Sequence, residues 1–268
     1  MGKVVLITGA SSGLGKAIAL YLVSKNYHVY GTTRNLANYK DFKDFPLLQV
    51  DVTKPETITA AISTIISKHK KIDVLINNAG VGITGAVEET ATSEVKNAFE
   101  TNFYGVLNTI REVLPQMRTQ QDGFILNITS IAGYMGLPYR GAYSATKGAL
   151  ELVTESLRLE TKQFGIRVAC LAPGDFTTNI AAGRFHAPVD KNSPYFLEYS
   201  KTLETINTDV QKGGDPNQVA HKVFKIINTK NPKTHYKVGS FLQKFSIVLK
   251  RILPDTLFEA MLLKYSSD

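Results

Sequence analysis

A short apolar run, Lys3-Val4-Val5-Leu6-Ile7, passes directly into Thr8-Gly9-Ala10-Ser11-Ser12-Gly13-Leu14-Gly15. The β-branched run has the composition of a buried parallel strand. Gly9, Gly13 and Gly15 supply a tight turn, room for a ligand to approach the backbone, and close packing of the next helix on the sheet. A helix beginning near Gly13 aims its free N–H groups and the positive end of its dipole at an anion. The unit therefore implies a dinucleotide site, with Gly9, Ser11, Ser12, Gly13, Leu14 and Gly15 around the pyrophosphate. The spacing G-x-x-x-G-x-G widens the first gap of the commoner G-x-G-x-x-G. Taken alone, it leaves open a glycine-rich turn without a ligand.

The rest of the chain alternates apolar strand-like runs with helix-length segments. Strands are expected near 3–8, 28–33, 47–50, 73–76, 123–128, 166–171 and 235–238, and helices near 13–25, 55–69, 93–118, 143–164 and 216–228, with Pro115 near the end of its helix. This order predicts an α/β, doubly wound Rossmann fold: a seven-stranded, mostly parallel sheet flanked by helices, with ligand at the carboxyl ends of the strands. At 268 residues and 43% hydrophobic content the chain suits a single domain, and it carries no internal repeat or linker.

A second constellation lies on the predicted helix at 143. Residues four apart share a helix face, so Tyr143 and Lys147 present a phenol and an ammonium to one space. A free phenol titrates near ~10, and a neighbouring cation favours its ionised form, which makes it a usable acid or base. A Tyr-x-x-x-Lys pair by itself is usually a solvated face. Here Ser130, ending the Ile128-Thr129-Ser130 run, precedes the tyrosine by thirteen residues. Asp73-Val74-Leu75-Ile76-Asn77-Asn78-Ala79-Gly80, Asn102-Phe103-Tyr104-Gly105, and Pro173-Gly174 with Thr178 complete a series of motifs.

In that order the motifs resemble the short-chain dehydrogenase/reductase family, closely over residues 3 to 180 and loosely beyond. The resemblance implies hydride transfer between a nicotinamide and a carbonyl carbon, with Tyr143 as proton donor in reduction and acceptor in oxidation. Ser130 would hold the substrate oxygen, and Lys147 the nicotinamide ribose. Asn102 would position backbone and water beside Lys147; read from the residues, an asparagine within a helix is equally a local cap or kink. Asn78, Ala79 and Gly80 would border the adenosine ribose, Asp51 and Val52 the adenine, and Pro173, Gly174 and Thr178 the remaining cofactor surface.

The end of the second strand chooses the dinucleotide. NAD sites usually place a carboxylate there, about 20 residues past the glycines, for the ribose 2′-hydroxyl. This chain has Thr33 followed by Arg34, whose planar fork suits a 2′-phosphate, so NADP (NADPH) is expected.

The stretch 175–215 is irregular in composition, with Gly183, Pro188 and Pro194, and is expected to be a loop covering the substrate. Tyr134, Met135, Phe176 and Phe185, with Ser130, are the candidate substrate contacts, and Tyr195 and Phe196 are further aromatics of the same stretch. An apolar pocket of that kind favours a lipophilic ketone, aldehyde or alcohol of steroid, retinoid or long-chain type. Beyond residue 240, apolar positions repeat at helical spacing on both sides of Pro254, which predicts two amphipathic helices within 241–264. Such an ending resembles the steroid- and retinol-type branch. These helices would pack on their own domain, meet a second subunit in a homodimer, or touch a membrane surface peripherally.

The net charge of +8 comes from dispersed lysines rather than a basic run, so no nucleic-acid partner is expected. The five histidines show no paired metal spacing, and Cys170, the lone cysteine, is expected to be a buried filler, so no metal is expected. With no charged leader and no apolar run near ~20 residues, the expected location is cytoplasmic. Two rivals to a reductase remain: a cofactor-binding sensor or scaffold of the same fold, and a non-redox epimerase or dehydratase type, which usually has a longer chain.

Overall fold

The computed structural model describes residues 2–177 and 184–267. A seven-stranded sheet is built from β1 (Val4–Ile7), β2 (His28–Thr33), β3 (Leu47–Gln49), β4 (Val74–Asn77), β6 (Gly123–Ile128), β7 (Ile166–Pro173) and β9 (His235–Val238). Its order is β3-β2-β1-β4-β6-β7-β9, and every pairing in it is parallel. Two short strands, β5 (Ile83–Thr84) and β8 (Phe185–His186), pair with each other apart from this sheet. The chain runs outward from β1 to β3 and then crosses back to β4, so the ends of β1 and β4 form the switch point where such sheets bind ligands.

The apolar strands alternate between two faces. Val5 and Ile7 join one buried cluster with Ile18 and Leu22 of α1 (Gly13–Ser24) and Val219 and Val223 of α7 (Pro216–Ile227). Val4 and Leu6 join the other, with Ile62 of α2 (Pro55–His69), Ile110 of α4 (Gly105–Gln120) and Leu150 of α5 (Gly141–Glu160). A strand buried on both faces needs no polar alternation, which is why the sequence shows continuous Val, Ile and Leu runs.

The single helix expected over 93–118 is instead three pieces: α3 (Thr92–Phe99), a π-helical turn over Glu100–Tyr104, and α4. Asn102 lies within this π turn and is buried. Pro115 lies inside α4, five residues before its last residue, Gln120. Within the stretch expected to be a loop, β8 and a helix, α6 (Phe196–Gln211), are formed. Tyr199, Thr202, Ile206 and Val210, at helical spacing, are its buried stripe.

Helices α8 (Phe241–Ile252) and α9 (Asp255–Ser267) flank Pro254 as expected. Ile247 and Phe258 pack with Ile131, Met135 and Ala172 in a third apolar cluster against the end of the sheet. Phe241, Leu242 and Ile252 of α8 remain largely exposed. No helix among the described residues is long and apolar enough to cross a membrane.

Candidate active site

The turn after β1 is held by backbone bonds from Thr8 N to Ile76 O and from Ala10 N to Thr32 O, and by side chains. Thr8 Oγ1 accepts from the backbone N–H groups of Asn78 and Ala79 at 3.0 Å each. Asn78 Nδ2 donates to the carbonyls of Thr8 (3.0 Å) and Gly9 (2.9 Å), which ties the ends of β1 and β4 together. Gly9 and Gly13 have φ of +64° and +55°, and a Cβ on Gly9 would sit 2.9 Å from Ala79 Cα. Both positions therefore need glycine. Ser12 caps α1 without a side-chain bond, and the first turn has no acidic residue, so the helix end is open to an anion. This cradle fits a dinucleotide pyrophosphate on geometry alone. Gly15 lies beneath the cradle, its α-carbon facing the Gly9 carbonyl, rather than on its surface.

A cleft of about 890 Å³ runs from this turn across the carboxyl end of the sheet. At one end it is lined by Ser11, Ser12, Gly13, Leu14, Thr33 and Arg34, and beside them by Asp51 and Val52. Thr33 is buried and Arg34 exposed. Asp51 is fixed by Thr53, whose N–H and Oγ1 donate to Oδ1 at 3.0 and 2.8 Å. Asn78, Ala79, Gly80, Pro173 and Gly174 also line the cleft. Gly80 is a close approach: its Cβ would lie 3.2 Å from Asn102 Oδ1 and 3.5 Å from Lys147 Nζ. Thr178 falls outside the described residues, as does Gly183.

Ser130, Tyr143 and Lys147 meet at the centre of the cleft. Ser130 follows β6 by two residues and caps a one-turn helix over Ile131–Tyr134, its Oγ accepting from Ala132 N at 3.2 Å. Tyr143 and Lys147 project from successive turns of α5, and Lys147 Nζ lies 5.9 Å from the Tyr143 ring centroid while donating to the Ile128 carbonyl at 3.2 Å. Burial pushes the Tyr143 phenol up from its ordinary value, and a hydrogen bond with Ser130 and the charges of Arg184 and Arg140 pull it back. The two arginines thus act in the sense expected of Lys147, and neither was marked by any motif.

Burial lowers the Lys147 pKa to about 8, with the Glu151 carboxylate opposing the fall. Between that value and the ordinary 10.5 the folded chain binds fewer protons here than the unfolded chain. The buried ammonium therefore costs stability in full below about pH 8, and the cost fades as pH rises towards 10.5. Urea unfolding of wild type and Lys147→Met from pH 7 to 9.5 is expected to show wild type gaining on the variant above pH 8. A pH-independent gap would contradict a charged, desolvated Lys147.

Asn102 is fully buried and does not reach the cleft. Its Oδ1 accepts from Val81 N at 2.8 Å, and Nδ2 donates to Val81 O at 2.9 Å and to Thr146 Oγ1 at 3.2 Å. These bonds tie the segment following Gly80 to Thr146 on α5.

Of the expected substrate contacts, Met135 and Phe176 line the cleft with Ser130, whereas Tyr134 and Phe185 do not. Phe185 belongs to β8. The Tyr134 hydroxyl instead turns away to donate to Glu151 Oε2 at 3.0 Å. Tyr195 bonds Glu88 and, like Phe196, lies off the cleft. Ile206 and Val210 of α6, Leu242 and Phe245 of α8, and Met261 and Leu262 of α9 form the apolar wall that sequence reasoning placed only in outline.

Behind α5 lies a polar network that no motif announced. Glu151 accepts from Thr129, from Tyr134, and from the Cys170 thiol at 2.9 Å, and it meets His235 Nδ1; His235 Nε2 meets Glu155 Oε1 at 2.9 Å. Cys170 is thus a polar partner, not a filler, and burial beside Glu151 pushes its thiol and the Tyr134 phenol well up. Ligand atoms of Glu151, Cys170 and His235 lie within 4.8 Å of one another, and their mutual hydrogen bonds account for the arrangement.

The architecture is that of a dinucleotide-binding α/β protein with a Ser-Tyr-Lys centre. Residues 3–188 match the family model for short chain dehydrogenases, and the chain belongs to the short-chain dehydrogenase/reductase family. It is 40% identical to the 3-ketodihydrosphingosine reductase of Bacteroides thetaiotaomicron over 258 residues, which cover 96% of this chain and 95% of that protein. Among solved structures it resembles a short-chain dehydrogenase from Streptomyces avermitilis, with a TM-score of 0.82, 32% identity, and coverage of 100% and 99% of the two chains. It also resembles ElxO with NADP bound, with a TM-score of 0.73 and 29% identity over 89% of this chain and 97% of that one.

Proposed function

We propose that this oxidoreductase uses NADP(H) to interconvert a ketone and a secondary alcohol on a long-chain lipophilic substrate. The observation that carries the reading is the Ser130-Tyr143-Lys147 centre, set between a phosphate cradle and an apolar wall in one cleft. NADPH, when bound, supplies the hydride. The residues that would hold it are the turn from Gly9 to Leu14, Arg34 beside a 2′-phosphate, Asp51 and Val52, Asn78 to Gly80, and Lys147. Ser130 holds the carbonyl oxygen and Tyr143 donates the proton to it; the phenolate left behind is stabilised by the Ser130 hydrogen bond and the arginine charges. Met135, Phe176 and the walls from α6, α8 and α9 exclude water and receive an alkyl chain. The Bacteroides relative, a reductase of a lipid ketone by name, and the NADP-bound ElxO support the substrate class and the cofactor.

Purified protein is expected to oxidise NADPH in the presence of long-chain ketones and to leave short polar ketones nearly untouched. NADH should support at least tenfold lower kcat/KM. Arg34→Ser is expected to raise KM for NADPH about tenfold, the worth of one charge-assisted phosphate contact, while changing the NADH value little. An NADH preference in wild type would remove Arg34 as a phosphate reader. Cofactor binding without turnover of any ketone would favour a sensor of the same fold.

A further inference from the structure

The cleft is lined by two arginines, Arg140 and Arg184, whose charges both act on Tyr143. Arg140 occupies the cap position before α5, where a cation opposes the helix dipole and no acidic residue follows in the first turn. Its Nε is buried without a hydrogen-bond partner. Arg184 is anchored at the start of β8, where Phe185 N donates to Gly82 O at 3.0 Å. Its stem lies across Gly82, whose Cβ would come 2.8 Å from Arg184 Cγ and 3.1 Å from its Nε. Among the described residues the Arg184 guanidinium donates to Asn207 Oδ1, at a long 3.4 Å.

Among the described residues neither arginine forms an ion pair. One carboxylate, Asp175, faces the same space, and Gln243 Nε2 already donates to it at 2.7 Å. Burial raises the Asp175 pKa, while burial and the nearby Arg140 lower that of Arg184. Two mutually repelling guanidiniums that share one already engaged carboxylate are an unfavourable arrangement. An oxyanion between them would supply the missing acceptors, and the planar fork of arginine matches a carboxylate or phosphate.

We propose that Arg140 and Arg184 form an anion subsite for the substrate, so that the preferred ketone carries a carboxylate or phosphate at its polar end, close to the reducible carbonyl. The proposal rests on the reductase reading above and adds the chemistry of the substrate's head group. The apolar wall takes the tail, and the two arginines orient the head so that the carbonyl meets Ser130 and Tyr143.

The test compares a long-chain oxo acid, the same ketone bearing a phosphate, the methyl ester of the acid, and a long-chain amino ketone. Turnover is measured with NADPH, and binding of each ketone to the protein by calorimetry. Wild type is expected to favour the acid or the phosphate over the ester at least tenfold in kcat/KM and in affinity, and the better of the two identifies the anion. In Arg184→Gln and Arg140→Gln that ratio should fall towards one, chiefly through KM for the anionic substrate, with Arg184→Lys retaining part of it. Equal use of acid and ester by wild type, or preference for the amino ketone, overturns the subsite. So does an equal loss for acid and ester in the variants, which would leave the arginines as modulators of Tyr143 alone. If no ketone turns over, the reductase reading fails, and tight calorimetric binding of the acid over the ester still decides the subsite.

Discussion

Tyr143→Phe is expected to lower kcat about 10³-fold while leaving NADPH affinity within about twofold. The phenyl ring keeps the shape of the side chain on α5, so only the hydroxyl and its hydrogen bond with Ser130 are lost. Positioned general acids contribute typically 10² to 10⁴ in rate. Ser130 is a poor acid, and the Lys147 ammonium donates to the Ile128 carbonyl. Steady-state turnover with the best ketone of the panel, and NADPH titration by fluorescence, are the two measurements. A variant retaining more than a tenth of the wild-type kcat would remove Tyr143 from proton transfer.

The contrast between what the sequence discloses and what it hides follows from where the information lies. Strands such as Val4–Ile7 and Gly123–Ile128 are legible because each is an apolar run closed by turn residues, a local signal. The cradle and the Tyr143-Lys147 pair are legible for the same reason: their geometry is set within one turn or one helix. Asn102 could be marked as a candidate, but its role depends on a π turn that no local periodicity encodes. The α6 stripe is present at helical spacing, yet the prolines and aromatics before it mask the period. Arg184 acquires its position only when β8 pairs with β5, a contact between Ile83-Thr84 and Phe185-His186 that spans about a hundred residues. Tyr134 misleads because an aromatic beside Ser130 is a plausible substrate wall until β9 brings His235 next to Cys170 and turns its hydroxyl inward.

Glu151 carries the second large prediction. In sequence it is one of several acidic residues on a long helix; in the structure it lies two turns beyond Tyr143 and one beyond Lys147, facing the sheet. Its carboxylate joins Thr129 at the end of β6, Tyr134 after it, Cys170 on β7 and His235 on β9. Thr129 is the neighbour of Ser130, so the carboxylate fixes the Ser130 segment relative to the helix that bears Tyr143. Truncation to alanine would strand several buried donors, each costing about 1–3 kcal/mol, partly relieved by rearrangement and water. Glu151→Ala is therefore expected to lose about 3–5 kcal/mol in urea unfolding, the range for breaking a buried ionic network by removing one partner.

A purely structural role would end there, and the charge makes a further claim. Glu151 is the group that raises the Lys147 pKa against desolvation. Glu151→Gln keeps the shape and part of the bonding, so its loss of stability should be smaller than that of the alanine variant. Its Lys147, deprived of the opposing carboxylate, should titrate lower. If protonated Lys147 is the active form, the alkaline limb of the kcat/KM profile moves to lower pH in Glu151→Gln, with the acidic limb unchanged. A profile that merely scales down without shifting would show that the network holds the site in place but does not set the protonation of its lysine.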